Sequence, residues 1–266
     1  MELYLGTGGY SNDDWLGLIY PAGTKSNKYL DIYAQHFNAV ELNSSFYATP
    51  GIKAFEGMVK KSEAEVRFAV KVHKSMTHSR DADTDMYQRL KESVQPLRDV
   101  GMLGPFLVQF PYSFHRTREN RVYLKELLDR LEPFHTAIEF RHGSWDNEQV
   151  REAFRKTNKT FVSVDYPPLY GLPESGLHIT SDTVYIRMHG RNQKTWWEGK
   201  SAAERHDYQY TPDELRPWVL TIKEQEENIS QLYLMMQNTT KGHALENLRM
   251  FKDLFAEVEL EASVNL

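Results

Sequence analysis

Glu139, Arg141 and His142 set a carboxylate, a guanidinium and an imidazole within four residues, directly after the apolar run Thr136-Ala137-Ile138. A carboxylate can move a proton, a guanidinium can grip a phosphate or carboxylate through two parallel hydrogen bonds, and an imidazole can give or take a proton near neutral pH. The same kind of ending recurs along the chain. Glu41 and Asn43 close the run from Ala39, Lys71 and His73 close the one from Val66, and Gln109 lies near the end of the one from Phe106. Asp165 ends the run from Thr160, Arg187 and His189 the run from Thr183, and Asn238 the run from Gln231. Glu41, Glu139 and Asp165 are the candidate catalytic acid and base, because carboxylates in different surroundings can hold different protonation states. Asn43, Lys71, His73, Gln109, Arg141, His142, Arg187, His189 and Asn238 are the candidate ligand contacts. Arg141 and Arg187 are suited to bidentate grip, and Lys71 to acting as a point charge. The competing reading is that these charges neutralise one another in a structural ion-pair net.

Such endings work together only if the strands deliver them to one rim. Eight short apolar runs alternate with mostly helical connections: helices are expected over about 27–36, 52–61, 84–100, 120–131, 149–157, 211–226 and 242–255. Residues 166–181 are rich in proline and glycine and show no helical period. The pattern predicts an α/β fold, a single-domain (β/α)8 TIM barrel over residues 1–266 with a reduced helix between strands 6 and 7. An open doubly wound sheet is the alternative. In a barrel the strand C-termini share one face, where active sites of this fold lie.

At 266 residues with net charge −5, the chain is ample for a large core and ill-suited to coating nucleic acid by bulk attraction. With no cysteine, thiolate metal sites and cysteine nucleophiles are excluded. No apolar stretch approaches a membrane span and no leader-like segment opens the chain, which points to a cytoplasmic location without membrane association. No cofactor is predicted. A divalent metal is a secondary alternative, resting on His73, His78, His142 and His189 with Glu139 and Asp165, and opposed by the neighbouring cations Lys71, Arg141 and Arg187. Gly6-Thr7-Gly8-Gly9 lacks the third glycine and the following helix of a dinucleotide fingerprint, Gly199-Lys200-Ser201 lacks a phosphate loop's upstream glycine, and no nucleophile elbow occurs. Tyr10, Trp15, Phe46, Tyr47, Trp145, Trp196, Trp197, Tyr208 and Tyr210 could stack on a ring or simply pack over the strand ends, Trp145 above all for packing. The polar, aromatic stretch 191–210 is a candidate lid.

Several segments together resemble the YecE-like family, also called domain of unknown function 72. They are Gly6-Thr7-Gly8-Gly9-Tyr10, Val40-Glu41-Leu42-Asn43-Ser44-Ser45-Phe46-Tyr47, Phe68-Ala69-Val70-Lys71, Gln109-Phe110-Pro111, Glu139-Phe140-Arg141-His142-Gly143-Ser144-Trp145, Tyr185-Ile186-Arg187-Met188-His189-Gly190 and Gln237-Asn238. The resemblance implies a TIM barrel distantly similar in fold to the xylose isomerase and endonuclease IV group, and implies no activity. The family pattern usually has serine where this chain has Gly8, and an asparagine pair where it has Gln237-Asn238. The expected function is a polar, cationic pocket that binds a small anionic, phosphate-bearing or sugar-like ligand, with carboxylate acid–base catalysis if the protein is an enzyme. The alternatives are a noncatalytic nucleotide or nucleic-acid binder and a metal-dependent phosphoesterase distantly like endonuclease IV. The oligomeric state is not legible in the sequence.

Overall fold

The computed structural model describes residues 1–63, 65–260 and 262. Nine parallel strands form one almost closed barrel: β1 (Glu2–Thr7), β2 (Ala39–Leu42), β3 (Arg67–Lys71), β4 (Leu103–Gln109), β5 (Thr136–Glu139), β6 (Thr160–Phe161), β7 (Ser163–Asp165), β8 (Thr183–Met188) and β9 (Gln231–Met236). The strand expected over 160–165 is split at Val162. Its first half pairs with β5 and its second with β8, so the two segments carry the sheet around the barrel. The last residues of the expected 1–266 domain lie partly outside the described residues.

Helices cover the outside: α1 (Tyr29–Tyr33), α2 (Ile52–Lys61), α3 (Lys74–Thr77), α4 (Thr84–Ser93), α5 (Gln95–Asp99), α6 (Arg118–Leu131), α7 (Glu148–Lys156), α8 (Ala202–Arg205), α9 (Pro212–Glu224) and α10 (His243–Glu257). The helix expected over 84–100 is two helices. Pro96, in the first turn of α5, has no N–H to continue the hydrogen-bond ladder of α4. The expected loss of a helix between the sixth and seventh expected strands, here β7 and β8, is observed: 166–182 is an irregular segment laid along β6 and β7, with Phe161 N–H donating to Thr180 Oγ1 at 2.8 Å and His178 N–H to Ser163 Oγ at 2.8 Å. Strand β4 starts three residues earlier than its apolar run suggests, taking in Gly104 and Pro105. Among the described residues no helix is long and apolar enough to cross a membrane.

Strand alternation sorts side chains into two cores. Outward residues such as Phe68, Val70, Phe106 and Ile138 pack under the helices. Inward residues fill the barrel, where Ala39, Ala69 and Ala137 leave room for the rings of Tyr4, Tyr185 and Tyr233. Gly6 is required by close approach rather than by flexibility, since a Cβ there would lie 2.0 Å from the Ala39 carbonyl oxygen. Above this apolar plug the inward positions turn polar.

Candidate functional site

Continuing each inward series upward reaches Glu41 and Asn43 on β2, Lys71 on β3, Gln109 on β4, Glu139 and Arg141 on β5, Arg187 and His189 on β8, and Gln237 beyond β9. The floor of the mouth is an ion-pair triad. Arg187 grips Glu41 with both edges of its fork, Nε to Oε2 at 2.9 Å and Nη2 to Oε1 at 2.6 Å, while its Nη1 donates to Glu139 Oε2. Nη2 also donates to Gln237 Oε1 at 2.8 Å. Both carboxylates are 0% exposed and further satisfied, Glu41 by Tyr185 Oη at 2.9 Å and Asn43 Nδ2 at 2.9 Å, Glu139 by Arg141 Nε at 2.7 Å and Tyr166 Oη at 2.5 Å. Burial alone would raise the Glu139 carboxyl, but the Arg187 and Arg141 charges overcome it and hold the group well below the usual carboxylate range.

Over this floor lies a cavity of about 430 Å³, lined by Phe46, Lys71, His78, Gln109, Arg141 and Arg205 among others. Lys71 Nζ donates to Gln109 Oε1 at 2.8 Å and stands 4.5 Å from the Phe46 ring centre. Among the described residues no carboxylate comes within ion-pair distance of Lys71 or Arg205. Burial, and next the Arg187 charge, bring the Lys71 amine down to about 7 against the opposing pull of Glu41 and Glu139. Arg141 spends its Nε on Glu139, and its two Nη groups have no acceptor among the described residues. The Nε of Arg205 is buried without an acceptor.

Residues 191–210 roof the mouth. Ala202, Ala203 and Arg205 of α8, with His206 after it, line the cavity, and buried Trp196 packs edge-on against Tyr166 at 5.2 Å. The segment is tied at its base by Arg191, which holds Asp165 through Nε at 2.9 Å and Nη2 at 2.7 Å. His206 of this segment stands 5.1 Å from His189 between ring centres, and the Nδ1 atom of each is buried without a partner. Burial, opposed by Glu139, brings His189 down to about 3, and burial with the His189 contact holds His206 well below the usual histidine range.

His189 is therefore neutral in the fold and protonates first in the unfolded chain. Between an unfolded value near 6.5 and the folded value of about 3, the unfolded state binds the extra proton, so stability falls as pH falls. Each buried neutral histidine contributes a slope of about 1.4 kcal/mol per pH unit. Urea unfolding between about pH 6.5 and 4.5, a window set by the ordinary histidine and carboxylate values, is expected to show a steep loss in the native protein and a slope lower by about one proton in His189→Asn. Equal slopes would contradict the neutral, buried state of His189.

The structure brings together Glu41, Asn43, Lys71, Gln109, Glu139, Arg141, Arg187 and His189. It does not bring in four other sequence candidates. Asp165 points outward from the barrel, where Arg191, Tyr210 Oη (2.8 Å) and Trp218 Nε1 (3.1 Å) occupy its carboxylate. Asn238 also points away, donating to Tyr208 O at 2.8 Å and Asn247 Oδ1 at 2.9 Å, because alternation from Tyr233 and Met235 puts Gln237 on the inner face. His73 caps α3 and faces an outer groove with Met86 and Arg89. His142 caps the turn Gly143–Trp145 and stacks on His115 at the rim, 3.9 Å between ring centres. Of the side chains considered for a metal, His73, His142 and Asp165 are thereby separated from His189 and Glu139, which lie 3.4 Å apart in the mouth, and among the described residues no three metal-ligating side chains converge. Trp145 is a packing residue, stacked on Phe140 at 4.4 Å and donating to Phe114 O at 2.7 Å.

Sequence reasoning missed Tyr166, Gln237, Arg205 and His206. The first two were accessible by counting alternate residues, from Val162 and Val164 to Tyr166 and from Met235 to Gln237. Arg205 and His206 sit in a segment without periodicity and carried no signal. The two departures from the resembled family pattern meet in space: a Cβ at Gly8 would lie 2.4 Å from Gln237 Oε1, so the glycine makes room for the longer amide that holds Arg187.

Comparison with known proteins places this architecture among relatives. The sequence profile of a family described as "Protein of unknown function DUF72" matches residues 4–264. The UPF0759 protein YunF of Bacillus subtilis (strain 168) is 30% identical, the match covering 95% of this chain and 94% of that one. A crystal structure of a DUF72 family protein from Thermotoga maritima superposes with a TM-score of 0.87 at 35% identity, covering 96% of this chain and 100% of that one. A DUF72 family protein from Enterococcus faecalis shares the fold, with a TM-score of 0.86 at 23% identity over 99% of this chain and 98% of that one.

Proposed function

Because the chain belongs to the DUF72 family, whose description assigns no activity, we propose from the mouth itself that the protein binds a small anionic ligand, such as a phosphorylated sugar, at the C-terminal end of the barrel. The observation that carries this reading is the division of labour among the charges. Glu41 and Glu139 are both spent on Arg187 in the floor, and the cavity above is lined by Lys71, Arg141 and Arg205. Unpaired guanidinium donors beside this cavity favour an anion with several acceptor oxygens. Phe46 and the 72% exposed Tyr47 offer rings for the rest of such a ligand. The geometry gives no support to Glu139 as a catalytic acid, since Arg187 and Arg141 hold its carboxyl well below the usual carboxylate range, and Glu41 is occupied by the Arg187 fork. The lack of three convergent metal-ligating side chains among the described residues gives no support to a metal-dependent phosphoesterase.

The experiment is a titration with inorganic phosphate, a hexose phosphate and a single-stranded oligonucleotide at about 50 and 200 mM salt. Phosphate and hexose phosphate are expected to saturate one site per chain with a shallow salt slope, the oligonucleotide to bind weakly. Steep, salt-sensitive oligonucleotide binding without a response to phosphate would overturn the reading in favour of a nucleic-acid binder.

A further inference from the structure

We infer that Lys71 is a nucleophile which forms an imine with the carbonyl carbon of a phosphorylated aldehyde or ketone held in the mouth. This rests on the anion-binding reading above and specifies its substrate class. Two carboxylates lie in this very mouth, yet both are turned to Arg187. Lys71 is left with an amide oxygen, Gln109 Oε1 at 2.8 Å, and the face of Phe46 at 4.5 Å. Gln109 is itself fixed, its Nε2 donating to Phe110 O at 2.8 Å, so its oxygen aims the amine. A lysine whose role was only to supply positive charge would gain from a carboxylate nearby. One that must offer a lone pair gains from its absence; burial chiefly, and next the Arg187 charge, disfavour its protonation against the pull of Glu41 and Glu139. With an amine near 7, more than half of Lys71 is neutral at pH 7.5, against about one in a thousand for an ordinary lysine.

The step balances without another reactant. The Nζ lone pair attacks the carbonyl carbon, a C–N bond forms, and the carbonyl oxygen takes a proton to give a carbinolamine. Loss of that hydroxyl as water, with the second nitrogen proton, leaves the C=N bond. Arg141 and Arg205 hold the phosphate and place the carbonyl toward the amine.

The test incubates the full-length protein with glycolaldehyde phosphate and sodium cyanoborohydride at pH 7.5, followed by peptide mass mapping. Lys71 is expected to be reductively alkylated at least tenfold faster than exposed lysines, with saturating inorganic phosphate slowing its labelling and not theirs. Lys71→Arg, which keeps a cation but forms no imine, is the blank for the assignment. Labelling spread over exposed lysines and absent from Lys71, while inorganic phosphate still saturates its site, would overturn the imine and leave the anion site standing. Failure of inorganic phosphate to bind at all would overturn both.

Discussion

Arg187→Met is expected to destabilise the protein by about 3–5 kcal/mol, the usual cost of removing one partner from a buried charge cluster. Arg187 is 2% exposed and is the shared partner of Glu41 and Glu139, both fully buried. Without it two carboxylates face one another in the buried floor, with Tyr185, Asn43, Tyr166 and Arg141 left to satisfy them. The effect is read from urea unfolding at neutral pH. Should Arg187→Met fail to fold, the triple variant Glu41→Gln, Glu139→Gln, Arg187→Met supplies the readout. It removes all three charges and is expected to fold, because a neutral, hydrogen-bonded set avoids the unpaired charge. A loss below about 1 kcal/mol in Arg187→Met, as for an exposed pair, would show that Arg187 does not organise the floor.

The barrel was legible because parallel strands with small inward and large outward residues leave a clear record. Phe68-Ala69-Val70 alone shows which face Ala69 takes, and Lys71 follows on the same face. The site was legible only as a set of strand ends. Which of two adjacent polar residues turns inward depends on exact strand phase, and phase is lost where a strand bends. Asp165 lies one residue past inward Val164 and so faces Arg191 and Trp218, and Asn238 yields its place to Gln237 for the same reason. Pairing was less legible still. Arg187 and Arg141 look alike in sequence, yet Arg187 is consumed by two glutamates from other strands and Arg141 gives only its Nε to Glu139. The ion-pair net occupies the floor of the mouth, and Lys71, Arg141 and Arg205 line the cavity above it, so the two arrangements expected from the sequence as competitors occupy different depths. Arg205 and His206 reach the mouth through residues 191–210, whose path depends on tertiary anchors such as Arg191 to Asp165.

The double variant Arg141→Ala, Arg205→Ala is expected to lose at least about a hundredfold in affinity for inorganic phosphate, because hydrogen bonds to a charged group contribute about 1.5–3 kcal/mol each and two guanidinium groups are removed. Neither substitution touches the Glu41–Arg187 pair. Arg141 contributes one of several bonds to Glu139, and Arg205 has no ion-pair partner among the described residues, so the fold is expected to persist. Calorimetric titration of inorganic phosphate into the native protein and the double variant, side by side at one pH and salt concentration, tests the anion site most directly. The account predicts one phosphate per chain for the native protein and no measurable saturation over the same range for the variant. Equal affinities, with both proteins folded, would contradict it.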